Sequence, residues 1–127
     1  MADVIRCNRP LSPHLQVYRP QMTSMSSILV RITGIGSLCL SAIVVAWLVA
    51  AATSEQAFAL VDGLVRSWLG GLVMLGGTWA LFYHMLGRLR HVIWDLGYWV
   101  EVDISQKMAV VMLSLSTLLT LVVAVIL

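Results

Sequence analysis

Charge is scarce in this sequence. Eight basic and six acidic residues make up 11% of its 127 positions, where a soluble domain carries roughly a quarter. With 60% apolar residues and a mean hydropathy of +0.93, a chain this short cannot bury its apolar surface in a water-soluble core. Cysteine is nearly absent too. Cys7 lies in a polar N-terminal arm and Cys39 in an apolar run, so a bridge between them is geometrically disfavoured. Neither belongs to a CxxC or Cys/His pattern, which argues against a thiolate metal site and for free thiols in a reducing compartment. Proline is confined to Pro10, Pro13 and Pro20, a density that predicts an extended arm rather than a helix. No leader pattern is visible: the first 25 residues hold Arg6, Arg9 and Arg19, and the following apolar run is too long for a signal h-region. Alternating segments of about ten residues are missing as well, which disfavours a membrane barrel.

What is present is three long apolar runs. Ile32–Ala52 holds 21 residues without a charge, enough to cross a hydrocarbon core of about 30 Å. A second run goes from Trp68 to Leu86, with its helix expected to continue to about Trp94. Met108–Leu127 adds 20 uncharged residues. The fold class expected is therefore an all-α membrane protein with three transmembrane helices, part of a hetero-oligomeric helical bundle. Its parts are a cytoplasmic N-terminal arm (1–24) and a transmembrane domain (25–127) with spans of about 28–52, 65–94 and 107–127. Thr23 or Ser24 is the expected cap of a helix beginning near Met25, and residues 53–63 are a polar break with one short amphipathic piece. Arg6, Arg9, Arg19, Arg31, Arg88, Arg90 and Lys107 fall on one side and only Arg66 on the other, which predicts a cytoplasmic N-terminus.

The stretch from His84 to Tyr98 holds two of the three histidines. A histidine at membrane depth needs a partner. His84 and His91 are seven residues apart, about 10 Å along a helix and on nearly one face, with Arg88 between them. A haem fits both features: imidazole ligates iron, and arginine or histidine near the aqueous edge pairs the propionates. The competing reading is a histidine that donates to a backbone carbonyl of a neighbouring helix. His91 is too near the interface to ligate the same iron as His84, and His14 lies in the arm, so a second axial ligand would come from another chain or the position would stay open. Gly70, Gly71, Gly76 and Gly77 crowd the first half of the same run, where a backbone or a flat ligand can approach closely. Arg31 and Ser27 sit one turn apart at the mouth of the first span. They form either a polar pair lining a pocket or a snorkelling arginine beside a helix end. Asp95 lies at the same face and is a candidate ion-pair partner of Arg31, Arg88 or Arg90. Trp79, in mid-span, is read as packing.

Two motifs carry a resemblance. Arg9-Pro10 leads to Ser27-Ile28-Leu29-Val30-Arg31-Ile32-Thr33, and His84 leads to Arg90-His91 followed by Asp95-Leu96-Gly97. On these residues, over nearly its whole length, the chain resembles the cytochrome b subunit family of succinate dehydrogenase (succinate:quinone oxidoreductase, respiratory complex II), the larger of that complex's two membrane anchors. It departs from the family pattern at Val30, where histidine is usual, and at Arg88, where glycine or alanine is usual.

The resemblance implies that His84 is the axial ligand of haem b iron, shared with the second membrane anchor subunit. His91 and Arg31 would lie near the propionates, with Arg88 supplying the cation that Val30 does not. It implies that Ser27 and Arg31, with Asp95 nearby, form a ubiquinone-reduction site together with the iron–sulfur subunit. A flavoprotein subunit would complete the complex, since the chain has no flavin or iron–sulfur motif and is not catalytic alone. No nucleic acid is implied. The simplest location is a bacterial cytoplasmic (inner) membrane. Alternatives are the anchor of a fumarate reductase-type complex, or a non-redox scaffold or transporter subunit.

Overall fold

A computed structural model describes residues 18–126; the arm residues 1–17, with His14, and the terminal Leu127 lie outside the described residues. The described residues form four helices, α1 (Met22–Thr53), α2 (Glu55–Arg66), α3 (Trp68–Asp95) and α4 (Val102–Ile126), and no strand. At about 1.5 Å per residue the three long helices run about 37 to 48 Å, each more than a hydrocarbon core of about 30 Å needs. All three are apolar enough to cross a membrane.

The distribution of side chains is that of a protein dissolved in lipid. Leu38, Leu72, Leu118 and Val125 are exposed, while Ser26, Thr33, Arg90, Ser105, Ser116 and Thr120 are buried. Lipid tails are as apolar as leucine, so burying leucine gains little, and small or polar residues take the helix interfaces instead. On α4 the buried stripe is Ser105, Ala109, Met112, Ser116 and Thr120. Two of its hydroxyls donate back to carbonyls of their own helix, Ser116 to Leu113 at 3.0 Å and Thr120 to Ser116 at 2.8 Å.

α1 and α3 share the longest interface and run antiparallel. Their contacts pair Leu40 with Gly77, Gly36 with Ala80, Gly34 with His84, Val30 with Gly87 and Ser26 with Arg90. Each step toward the start of α1 is matched by a step toward the end of α3. That register places Arg31 level with the Leu86–Gly87 turn, with Arg88 following it on α3, and Ser27 level with Arg90–His91.

The amphipathic piece expected in the first polar break is α2. Ser54 caps it by accepting from the Ala57 N–H at 3.1 Å, and Ser67 caps α3 by accepting from Gly70 N–H at 3.1 Å. The Trp47 indole donates to Asp62 at 3.1 Å and Asp62 pairs with Arg66 at 2.8 Å, tying α2 to α1. At the other end of the bundle, Gly97 takes φ +82° and Gly97 N–H bonds the Trp94 carbonyl at 2.9 Å while Tyr98 N–H bonds that of Ile93 at 3.1 Å. This is a Schellman cap, and it gives the Asp95-Leu96-Gly97 motif a structural reason for its glycine.

The start of α1 differs from expectation. The helix begins at Met22, three residues earlier than the capping pattern suggests, and its cap residue Gln21 makes no side-chain capping bond. Ser24 instead accepts from the Tyr18 hydroxyl at 2.6 Å, which draws it into the first turn rather than before it.

Candidate functional site

His84 is half-buried on the face of α3 that meets α1. Its Nδ1 lies 2.9 Å from the carbonyl oxygen of Val30. A carbonyl can only accept, so Nδ1 carries the proton and Nε2 of the neutral ring keeps its lone pair. A hydrogen bond of this kind behind the ring orients metal-ligating histidines and fixes their tautomer. The ring reaches that carbonyl because position 34 is glycine. A Cβ there would stand 2.9 Å from His84 Cε1 and 3.1 Å from Nδ1.

One helical turn on, Gly87 is buried against Val30. A Cβ at 87 would collide with Val30 Cγ2 and stand 3.1 Å from Cγ1 and 3.3 Å from Met112 Cε. The branched Val30 side chain thus fills the space that Gly87 leaves, and the two are one packing solution. His91 Nδ1 donates to the Gly87 carbonyl at 2.7 Å, and its ring meets Trp94 edge-on with centroids 5.3 Å apart.

Two stripes therefore run side by side: Ser27, Arg31 and Gly34 on α1, and His84, Arg88 and His91 on α3. They touch at the Gly34–His84 contact. Arg31 and Arg88 are both exposed toward the same end of the bundle, and neither makes an ion pair among the described residues, where Asp62–Arg66 is the one salt bridge.

Other expectations need correction. Asp95 does not pair with Arg31, Arg88 or Arg90 among the described residues; it is exposed at the C-terminal end of α3, where the helix dipole offers a carboxylate nothing. Ser27 and Arg31 form no hydrogen bond with each other; Ser27 is half-buried. Arg90 does not stand at the surface as Arg31 and Arg88 do. It is 1% exposed, turned inward, with Nη1 donating to Ser26 Oγ at 3.0 Å and its guanidinium 4.5 Å from the Trp94 ring centroid. The Tyr83 hydroxyl donates to the same Ser26 oxygen at 3.1 Å. Ser26, Gly34 and Tyr83 do not stand out in the sequence. A signal for the buried faces is nonetheless there, since Ser26, Val30 and Thr33 share one face at i, i+4, i+7 and Tyr83, Gly87 and Arg90 do the same. Trp79 packs by stacking on Tyr83 at 5.3 Å and donating to Thr117 at 3.2 Å. Of the four crowded glycines, Gly77 meets Leu40 and Gly70 the backbone of Leu64 and Val65 at the end of α2, while Gly71 and Gly76 face open space.

The residues suit a haem. One imidazole nitrogen is held and the other is left as a ligand atom, two exposed arginines toward one end of the bundle suit the charge of carboxylates, and no group of three His, Cys, Asp or Glu among the described residues would hold a bare metal ion.

Comparison with known proteins points to one family. Residues 6–123 match the model of the family described as succinate dehydrogenase/fumarate reductase transmembrane subunit. The chain is 51% identical over 107 residues to the succinate dehydrogenase cytochrome b556 subunit of Paracoccus denitrificans, covering 84% of this chain and 82% of the relative. It is 36% identical over 121 residues to the succinate dehydrogenase cytochrome b560 subunit of Reclinomonas americana, covering 91% and 83%. With the cytochrome b556 subunit of Rickettsia conorii it shares 34% over 90 residues, covering 71% and 69%.

Proposed function

The chain belongs to the succinate dehydrogenase/fumarate reductase transmembrane subunit family, and from that premise we propose that it is the haem b-binding membrane anchor of succinate dehydrogenase and helps form the ubiquinone-reduction site. The observation that carries the reading is the second ring nitrogen of His84, Nε2, left without a partner among the described residues while Nδ1 is committed to the Val30 carbonyl, with Arg31 and Arg88 toward the same end of the bundle.

In this reading His84 Nε2 would hold the haem iron on this chain's side, with the other membrane anchor subunit holding the group from its own. Arg31 and Arg88 would neutralise the propionates, and His91 Nε2 would add a donor or acceptor near them. Bound there, the haem supplies one-electron chemistry. Gly34 and Val30 keep the His84 ring in place by shape and by a hydrogen bond that needs no reorganisation.

Reducing a quinone to a quinol takes two electrons and two protons. Ser27 and Arg31 hydrogen-bond a quinone carbonyl at the mouth, where a cationic donor stabilises the negative charge that builds on oxygen as electrons arrive. Asp95 is assigned a proton-supply role: it is exposed, at the same end of the bundle, and gains nothing structurally from its place at a helix C-terminus. Electrons come from the iron–sulfur subunit, fed by the flavoprotein subunit. The N-terminus and the segment between α3 and α4 face the cytoplasm of a bacterial inner membrane, where the basic residues concentrate.

A second reading is the anchor of a fumarate-reducing complex, because the family description covers both enzymes. Steady-state kinetics of the purified four-subunit complex test the proposal. Ser27→Ala and Arg31→Ala are expected to impair succinate-dependent ubiquinone reduction while the b-type absorbance persists in the Ser27 variant. Unimpaired quinone reduction in both would overturn the quinone assignment, and the absence of any b-type band would leave a non-redox scaffold.

A further inference from the structure

Arg90 is the least expected buried residue of the chain. It is 1% exposed in a bundle whose outer surface is apolar, and its Nε and Nη2 find no partner among the described residues. Burying a guanidinium is costly even when paired, and a buried charge is weak grounds for stability. What Arg90 does accomplish is geometric. Ser26 is the first buried residue of α1, and the helix start ahead of it has no side-chain cap. Both acceptor positions of the Ser26 hydroxyl are taken, one by Arg90 at 3.0 Å and one by Tyr83 at 3.1 Å, so it cannot rotate without breaking a bond. Arg90 is itself braced on the Trp94 ring and Tyr83 on Trp79. Two rigid arms from α3 thus clamp the end of α1 at the residue next to Ser27 and just over one turn from Arg31.

We propose that Arg90, through Ser26, is a positioning residue for the quinone mouth: it holds the first turns of α1 against α3 so that Ser27 and Arg31 present their donors at a fixed place. The inference rests on the quinone assignment of those two residues. A displacement of about 1 Å at a binding group can cost up to a hundredfold in rate, and release of an uncapped helix end is a displacement of that order. Ser26→Ala removes one hydroxyl and no packing volume worth noting; Arg90→Gln removes the charge and the clamp.

In the purified complex of intact subunit composition, each variant is expected to raise the KM for a short-chain ubiquinone about tenfold with kcat changed far less and the b-type band retained. Because both remove one node, the double variant raises KM no more than the worse single variant. Arg90→Lys, which keeps the charge and a donor, is expected to fall between Arg90→Gln and the unsubstituted complex. Where Arg90→Gln fails to assemble, Ser26→Ala and Arg90→Lys carry the test. An unchanged KM in Ser26→Ala, or effects of the two substitutions that multiply, overturns the proposal. Ser27→Ala and Arg31→Ala separate the two levels: if either raises KM and Ser26→Ala does not, only the positioning role is lost; if none of the three does, the quinone assignment falls and the positioning role with it.

Discussion

Replacing Gly34 by alanine probes the contact on which the site is built. The added Cβ would lie 2.9 Å from His84 Cε1 and 3.1 Å from Nδ1. Non-bonded carbons are comfortable at about 3.5 Å or more, so the ring must retreat by about 0.6 Å. The Nδ1–H···O bond to Val30 is 2.9 Å long, and a retreat of that size takes it to about 3.5 Å, the limit at which such a bond still counts. The broken bond costs about 1 kcal/mol and residual crowding about another 1 kcal/mol. Together, about 2 kcal/mol is a factor of roughly 30 in affinity, inside the range of about 10- to 100-fold seen when a histidine ligand is deprived of the hydrogen-bond partner behind it. The assay is haem per complex and midpoint potential from the reduced-minus-oxidised spectrum, after size-exclusion chromatography in detergent. Gly34→Ala is expected to yield an assembled complex that has lost most of its haem. Full haem content at an unshifted potential would refute the link between Gly34, Val30 and the ligand.

Three further outcomes are expected. Gly87→Ala forces a Cβ into Val30 and to 3.3 Å from Met112 Cε and should cost about 1–3 kcal/mol of stability, read as a lower melting temperature in detergent; adding Val30→Ala should recover part of it. Arg88→Gly should lower haem content and shift the midpoint potential, and unchanged values would remove Arg88 from the site. The Asp62 carboxyl is held below its ordinary value of 3.8 by the Trp47 indole N–H and then by Arg66. Because the folded value is the lower one, its contribution is whole above 3.8 and is lost as pH falls through the folded value. The Trp47 indole N–H resonance should therefore titrate with a midpoint below 3.8, and that midpoint should move upward in Arg66→Ala.

Run length and charge scarcity made the three long helices legible, because lipid imposes a length that sequence cannot disguise. His84 was legible for the same reason: one polar ring at depth stands out. What sequence did not disclose is orientation about each helix axis. Arg90 and Arg88 are two residues apart and look alike in a basic run, yet one is buried on Ser26 and the other exposed. In a membrane the polar residue often faces inward, so the soluble-protein rule that charge marks the outside misleads. Asp95 was expected in an ion pair, but the inward turn of Arg90 removes one of its candidate partners. Gly34 was invisible because its role is the absence of a Cβ opposite a ring 50 residues away in sequence.

Ligation of haem by His84 is tested without intermediaries by the reduced-minus-oxidised spectrum of the purified complex carrying His84→Ala. A b-type band is expected in the unsubstituted complex, and its loss, or a displaced and low-potential remnant, in the variant. A band of undiminished height and potential in an assembled His84→Ala complex would contradict the assignment.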